Sequence, residues 1–140
     1  MADKINFHFD IDGESFTSAG EASVRIKKLL RDMGFPSDVI RRVSVAMYEG
    51  EINMVIHANG GSADVDVSPD KIEITLSDRG PGIPNIELAM QEGYSTAPDN
   101  IRSLGFGAGM GLPNMKRYTD EMRIESEIGR GTTIYMSVNV

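Results

Sequence analysis

Glu49 and Asn53 are the first pair of side chains suited to chemistry. They are four positions apart in a segment with helical spacing, so they lie on one face of the predicted helix. An asparagine carbonyl oxygen is a hard, neutral ligand for Mg²⁺. A carboxylate one turn away is placed to orient or deprotonate a nucleophile beside phosphates. The pair therefore indicates a metal ligand and a base, and the alternative is a polar helix face turned to solvent.

Asp78 is the second candidate, because it ends an alternating apolar run and is followed by Gly80 and Gly82. An ionised carboxylate accepts a hydrogen bond from an exocyclic amine, which favours adenine over guanine. The glycines allow the chain to fold back beneath a base. Read alone, Asp78 is also typical of a turn that ends a strand. Thr132, after Gly131, is a good strand residue whose hydroxyl is a second candidate for contact with the base.

A second glycine-rich stretch, residues 105–112, is suited to phosphate binding. Glycine allows backbone amides to approach a ligand closely, and amides at a helix start carry partial positive charge. The stretch is neither a P-loop nor a dinucleotide-binding fingerprint, because no Lys-Ser/Thr follows it and no strand immediately precedes it. A flexible hinge is the alternative. Residues 92–106 show no clear period, and long loops are often functional, so residues 84–111 form a candidate lid.

Hydrophobic periodicity predicts the elements that position these residues. The expected order is a strand at 5–11, helices at 20–33 and 37–57, strands at 63–67 and 72–76, a short helix at 84–91, a helix at 110–119, and strands at 122–126 and 134–140. Gly34 is the expected cap of the first helix. The two middle strands form a hairpin that delivers Asp78, and residues 1–140 form one α/β domain.

Three further residues of the second helix carry predictions. Gly50, which costs about 1 kcal/mol relative to alanine in a helix interior, indicates close packing. Glu51 points away from Glu49 by helical geometry and is expected on the surface. His57 continues the line of Glu49 and Asn53 but is expected to be structural.

Composition excludes several classes of function. A formal net charge of −7 argues against binding to duplex nucleic acid. The absence of cysteine excludes disulfides and thiolate metal sites, and two histidines make a zinc or haem site improbable. No apolar run approaches the roughly 20 residues of a membrane span, and the N-terminus lacks a signal-peptide pattern, so a cytoplasmic protein without membrane contact is expected.

The order of the motifs Glu49-x-x-x-Asn53, Asp78-x-Gly-x-Gly-Ile83, Gly109-x-Gly-Leu112 and Gly131-Thr-Thr133 resembles the ATP-binding domain of the GHKL superfamily. That resemblance implies an α/β (α+β) two-layer sandwich, with a mixed, mostly antiparallel sheet, helices on one face, and ATP under a glycine-rich lid. It further implies Asn53 as the Mg²⁺ ligand and Asp78 as the adenine acceptor. The implied nucleotide contacts are Asn53, Asp78, Gly80, Gly82, Ile83, Gly105, Gly107, Gly109, Met110, Gly111, Leu112 and Thr132.

Within that superfamily, the chain resembles the stand-alone anti-sigma factors and switch serine/threonine kinases of bacterial stress and sporulation pathways. Those proteins phosphorylate a serine or threonine of a small STAS-domain antagonist, which implies Glu49 as the catalytic base. The anti-sigma members place an arginine shortly before the final Gly-x-Gly, where this chain has Gly107 and Ala108. Residues 109–117 are more similar to the switch-kinase branch, which binds a phosphatase or scaffold rather than a sigma factor.

The resemblance therefore leaves three functions open. The first is an ATP–Mg²⁺-dependent serine/threonine kinase with a STAS-domain anti-anti-sigma or scaffold partner, a sigma factor or phosphatase as a further partner, and a homodimer as a plausible assembly. The second is a regulatory module in which ATP or ADP only sets the lid conformation while a partner is sequestered. The third is a slow ATPase without a protein substrate.

Overall fold

The computed structural model of the chain describes residues 4–12, 20–58, 60–83, 86, 90 and 111–140. These ranges contain five strands and three helices, in the order β1 (Ile5–Asp12), α1 (Glu21–Asp32), α2 (Ser37–His57), β2 (Gly60–Val67), β3 (Lys71–Ser77), α3 (Gly111–Tyr118), β4 (Glu121–Glu127) and β5 (Gly131–Asn139). The predicted elements are all present in this order except the short helix at 84–91, which lies mostly outside the described residues.

The strands form one sheet in the order β1-β2-β3-β5-β4, and every pairing among the described strands is antiparallel. The predicted β2–β3 hairpin is confirmed, with Ser68 closing its turn by bonds to Lys71 O through both its N–H (3.0 Å) and its hydroxyl (2.8 Å). The prediction of a mostly antiparallel sheet is therefore confirmed, and its parallel component does not occur among these strands.

Alternation along the strands gives the sheet one apolar face and one polar face. On β3, Ile72, Ile74 and Leu76 are buried, whereas the residues between them are only half-buried. The three helices cover the apolar face, with α2 in contact with α1, α3 and the sheet. Side chains of all three helices and of the central strands share one buried apolar cluster. The two-layer α+β sandwich with helices on one face is confirmed.

The ends and the interior of the helices follow local chemistry. Gly34 has φ +86°, which confirms the predicted left-handed cap after α1. Pro113 lies in the first turn of α3, where its missing N–H costs no helix hydrogen bond. Gly50 confirms the predicted close packing, because a Cβ on that residue would overlap the Cδ1 atom of Leu76. Glycine at this point therefore lets helix α2 lie close to β3 without displacing the Leu76 side chain.

The prediction that Glu51 lies on the surface is wrong. Its side chain is 1% exposed, and its carboxylate accepts the N–H groups of Gly20 (2.9 Å), Ala22 (3.3 Å) and Ser23 (2.6 Å) at the start of α1. Helical geometry gave the direction of Glu51 correctly, but helix α1 covers that side of α2. Desolvation raises the pKa of the Glu51 carboxyl above its ordinary value, and the three N–H groups oppose that rise.

Among the described residues, no helix has the length and apolar content needed to cross a lipid bilayer.

Candidate functional site

The first half of the candidate site lies where α2 meets the start of α3. Glu49 and Asn53 are half-buried on the same face of α2. A Cβ placed on Gly111, the first residue of α3, would lie 3.5 Å from Asn53 Oδ1 and 3.7 Å from Glu49 Oε2. The structure thus brings together three residues predicted from separate motifs. Because Gly111 has no side chain, none of its atoms stands in front of the two oxygens, which lie beside the amide-rich first turn of α3.

Asn114 adds a contact that was not predicted from the sequence. Its Nδ2 donates to Glu49 Oε1 over 3.4 Å, and Arg117 Nη1 donates to Asn114 Oδ1 over 3.4 Å. The three-residue spacing of Asn114 and Arg117 places them on one face of α3, but only the tertiary packing brings that face to Glu49. One carboxylate oxygen of Glu49 is therefore held by Asn114, while Oε2 remains on the side of Asn53 and Gly111.

The second half of the candidate site is centred on Asp78, the first residue after β3. Its Oδ1 accepts the N–H of Gly80 (2.9 Å) and the N–H of Thr132 (3.1 Å), and its own N–H donates to Thr132 O (2.9 Å). No hydrogen bond to Oδ2 exists within the described part of the chain. The carboxylate is thus fixed in orientation with one oxygen still able to accept a proton donor, which suits an exocyclic amine.

The loop after Asp78 is held between the end of α2 and the β4–β5 turn. A Cβ on Gly80 would lie 2.6 Å from the Cβ of Ala58, so only glycine allows this approach to the end of α2. Gly82 has φ +84°, and a Cβ there would lie 2.6 Å from Glu127 O. Gly129 N donates to Pro81 O over 2.9 Å. These contacts explain why the Gly-x-Gly spacing follows Asp78.

The remaining predicted residues have different environments. Ile83 donates its N–H to Ser126 Oγ over 2.7 Å, and Thr132 is 7% exposed with its Oγ1 2.9 Å from Ser126 Oγ. Leu112 is buried in the apolar cluster, so it offers a ligand only its backbone in the first turn of α3. Four predicted phosphate-binding residues, and most of the candidate lid 84–111, lie outside the described residues: Gly105, Gly107, Gly109 and Met110.

Comparison with protein families identifies one match that spans most of the chain. Residues 38–140 match the family described as histidine kinase-, DNA gyrase B-, and HSP90-like ATPase. Every residue of the candidate site described above falls within this range.

Individual relatives carry two kinds of name. The chain is 29% identical to an anti-sigma F factor of Geobacillus stearothermophilus, over 94% of this chain and 88% of that protein. It is 31% identical to an anti-sigma F factor of Clostridium beijerinckii, over 93% of this chain and 88% of that protein. It is also 31% identical to the serine/threonine-protein kinase RsbT of Bacillus subtilis, over 77% of this chain and 78% of that protein.

Solved structures share the fold. The RsbU and RsbW domains of Rv1364c from Mycobacterium tuberculosis match with a TM-score of 0.65 at 18% identity, over 96% of this chain and 32% of that chain, so this protein spans about a third of that structure. The SiaB–SiaC complex from Pseudomonas aeruginosa matches with a TM-score of 0.59 at 11% identity, over 96% of this chain and 89% of that chain. At these identities the likeness concerns the fold alone.

Proposed function

Because the chain belongs to the histidine kinase-, DNA gyrase B- and HSP90-like ATPase family, which implies ATP binding, we propose that it is an ATP–Mg²⁺-dependent protein serine/threonine kinase. Its substrate is a STAS-domain antagonist in a partner-switching pathway. The observation that carries this proposal is the position of Glu49, whose Oε2 lies beside Asn53 and the first residue of α3 while Asn114 holds Oε1. The name of the RsbT relative supports a kinase, and the anti-sigma names support partner switching.

The residues fit the nucleotide at both ends of the site. Asp78 Oδ2 accepts a hydrogen bond from the exocyclic amine of adenine. The adenine end of the site is shaped by Gly80, Gly82, Ile83 and Thr132. The proposed place of the phosphates is the start of α3, where Gly111 and Leu112 offer backbone N–H groups. The predicted contribution of the rest of the glycine-rich stretch 105–111 concerns residues outside the described ranges.

Asn53 is the proposed protein ligand of Mg²⁺. Among the described residues, no group of three histidine, aspartate or glutamate side chains could hold a metal ion. Mg²⁺ usually binds through one or two protein oxygens, several waters and substrate phosphates, and Asn53 is proposed as one such protein oxygen. When bound, the ion neutralises charge on the phosphate oxygens.

Glu49 acts on the substrate hydroxyl. Its carboxylate accepts the proton of the attacking serine or threonine as the hydroxyl oxygen forms a bond to the γ-phosphorus. The bond from that phosphorus to the bridging oxygen breaks, and ADP leaves with the electron pair. Asn114 limits the rotation of Glu49, and Oε2, which has no hydrogen bond among the described residues, is the oxygen proposed to face the phosphates.

The proposed partners follow from the same relatives. A STAS-domain anti-anti-sigma or scaffold protein is the substrate, and a sigma factor or phosphatase is the protein released or bound by switching. The proposed assembly is a homodimer, the proposed location is the cytoplasm, and nucleic acid and membranes are not proposed as partners. The anti-sigma names of the relatives support this choice of partner class.

Transfer of γ-labelled phosphate tests the kinase directly. The purified protein is incubated with Mg²⁺, γ-labelled ATP and candidate STAS-domain proteins, and the labelled residue is identified by mass spectrometry. We expect label on a serine or threonine, and a loss of about 10²-fold or more in Glu49→Ala because a general base contributes that much. ATP affinity should stay within about twofold, since Glu49 is not proposed to hold the nucleotide. Glu121→Ala, an exposed change on β4, is the matched control.

A second function is favoured by the anti-sigma names of the relatives. In this alternative the chain is a non-catalytic module in which ATP or ADP controls the capture of a partner. It predicts nucleotide-dependent co-elution with a partner and no label on any STAS-domain protein. Label transfer that is equal in wild type and Glu49→Ala would contradict the proposed role of Glu49.

A further inference from the structure

The apolar face of the sheet ends in a row of polar residues. Leu76 on β3, Ile134 on β5 and Ile124 on β4 lie opposite one another across the sheet. Two residues further along each strand, and so on the same face, stand Asp78, Thr132 and Ser126. Thr132 and Ser126 are directly paired, and Thr132 is bonded to Asp78 through both backbone groups. Polar side chains thus continue the core face at the point where the nucleotide base is proposed to bind.

Ser126 has three hydrogen-bonding neighbours in and beside this row. Its Oγ accepts the N–H of Ile83 over 2.7 Å, and it lies 2.9 Å from Thr132 Oγ1 and 3.3 Å from Gly131 O. A serine hydroxyl has one proton and two lone pairs. Because Ile83 occupies one lone pair, the single proton of Ser126 serves either the Thr132 hydroxyl or the Gly131 carbonyl. The shorter distance favours Thr132.

The direction of that proton decides what Thr132 offers to a ligand. If Ser126 donates to Thr132, the hydroxyl proton of Thr132 is not used by Ser126. It can then form a hydrogen bond to the nucleotide base. If Ser126 donates to Gly131, Thr132 donates back to Ser126 and presents only lone pairs. Adenine N1 is an acceptor, so only the first arrangement is complementary to adenine beside the Asp78 carboxylate.

We propose that Ser126 is a specificity-determining residue of the nucleotide site, which orients the Thr132 hydroxyl as a proton donor toward N1 of adenine. This inference rests on the proposed function, since it assumes that the base lies against Asp78. Asp78 then recognises the exocyclic amine and Thr132 recognises N1. A site built from oriented donors rejects an analogue that lacks the matching acceptor, because the donor is left unpaired.

The test compares the affinities of ATP and of 1-deazaadenosine triphosphate, in which a C–H group replaces N1. Both are measured by calorimetry with wild type, Ser126→Ala and Ser126→Thr. We expect wild type to bind ATP about tenfold more tightly than the analogue, the worth of one well-placed hydrogen bond. In Ser126→Ala the Thr132 hydroxyl keeps its proton but is no longer held in one direction, so this ratio should fall to about threefold. Ser126→Thr, which keeps the hydroxyl, should restore most of it.

The ratio of the two affinities distinguishes a loss of base specificity from a general disturbance of the local structure. Removing Ser126 also frees the Ile83 N–H, but a displaced loop would weaken both nucleotides alike and leave the ratio at its wild-type value. That result would overturn the proposal. Ser137→Ala is the matched control, because Ser137 is a buried serine of the same sheet whose hydroxyl has no hydrogen bond among the described residues. It should retain the wild-type ratio.

Asp78→Asn distinguishes failure of this inference from failure of the proposed site. If Asp78→Asn weakens ATP binding by about tenfold or more while Ser126→Ala keeps the wild-type ratio, the base site stands and the role of Ser126 is overturned. If Asp78→Asn binds ATP as wild type does, the adenine site and the role of Ser126 are overturned together.

Discussion

Helix α2 carries two glutamates, two positions apart, in opposite environments. Glu49 is half-buried, shares one long hydrogen bond with Asn114, and faces the start of α3. Glu51 is 1% exposed and accepts three N–H groups at the start of α1. Two residues correspond to about 200° of rotation around a helix, which places the two carboxylates on opposite sides. The same residue type thus belongs to the candidate site on one side of α2 and to the contact between α1 and α2 on the other side.

The difference between the two environments shows what gives a carboxylate a role in holding the fold. Three backbone N–H groups satisfy both oxygens of Glu51, so little capacity remains for a substrate. Those N–H groups belong to the first turn of α1, which has no helical partners for them and favours a negative charge. Within the described residues, Glu49 has one oxygen bonded to Asn114 and the other without a hydrogen bond, on the side of Gly111. A carboxylate with an unoccupied oxygen beside a cleft can take part in chemistry, whereas a saturated one holds the fold.

The largest expected effect is on stability, at Glu51. Glu51→Ala removes the acceptor of three N–H groups in a buried position, so we expect the free energy of unfolding to fall by about 2–4 kcal/mol. Glu51→Gln keeps one acceptor oxygen and should lose about half as much. Urea denaturation followed by circular dichroism measures both. Glu49→Ala is the matched control and should change stability by less than about 1 kcal/mol; an equal loss in the two alanine variants would contradict the contrast between the faces.

The next effect concerns nucleotide binding, at Asn53 on the Glu49 face. Asn53→Ala removes the proposed Mg²⁺ ligand, and we expect about tenfold weaker binding of ATP in the presence of Mg²⁺. The variant and wild type should bind similarly in excess chelator. Calorimetric titrations with and without Mg²⁺ measure the effect, with Asn139→Ala, an exposed asparagine on β5, as control. Wild-type affinity that is indifferent to Mg²⁺ would remove the basis for this assignment.

Gly50 lies between the two glutamates and faces Leu76 of β3, on a third side of helix α2. In Gly50→Ala the new methyl group overlaps Leu76 Cδ1, which costs about 1–3 kcal/mol, while alanine recovers about 1 kcal/mol of helix propensity. We expect a net loss of about 1 kcal/mol in the free energy of unfolding. The double variant Gly50→Ala/Leu76→Val should lose less than the sum of the two single changes. Simple additivity would show that the overlap is not the cause.

The elements of the fold were predictable because they depend on local periodicity. The alternating apolar residues of β3 predict a strand, and the glycines at Gly34 and Gly50 predict a cap and a close packing, which the structure confirms. Helical spacing also predicts that Glu49 and Asn53 share a face. Such features need no knowledge of distant residues.

The contacts that complete the site depend on long-range packing. The period of α2 shows that Glu51 points away from Glu49, but whether water or α1 covers that side is decided by tertiary structure. Ser126 reaches Thr132 only through the β4–β5 register, and Asn114 reaches Glu49 only because α3 packs against α2. A pattern read along one segment contains no information on these pairings.

The smallest expected effect is on the titration of the two histidines. His57 continues the Glu49–Asn53 line at the end of α2, and burial lowers its pKa below 6.5. His8 lies on the outer face of the sheet, where hydrogen bonds to Asp64 (2.8 Å) and Asp10 (3.1 Å) raise its pKa above 6.5. The two ring signals should therefore titrate on opposite sides of 6.5 in an NMR experiment.

Their contributions to stability run in opposite directions with pH. The His8 contribution is fully present below pH 6.5 and is lost as the pH rises through its raised folded value. The His57 contribution is fully present above pH 6.5 and is lost as the pH falls through its lowered folded value. Asp64→Asn should lower the pKa of His8 and leave that of His57 unchanged. If both histidines shifted together, the Glu49 side of α2 and the outer face of the sheet would not be electrostatically independent.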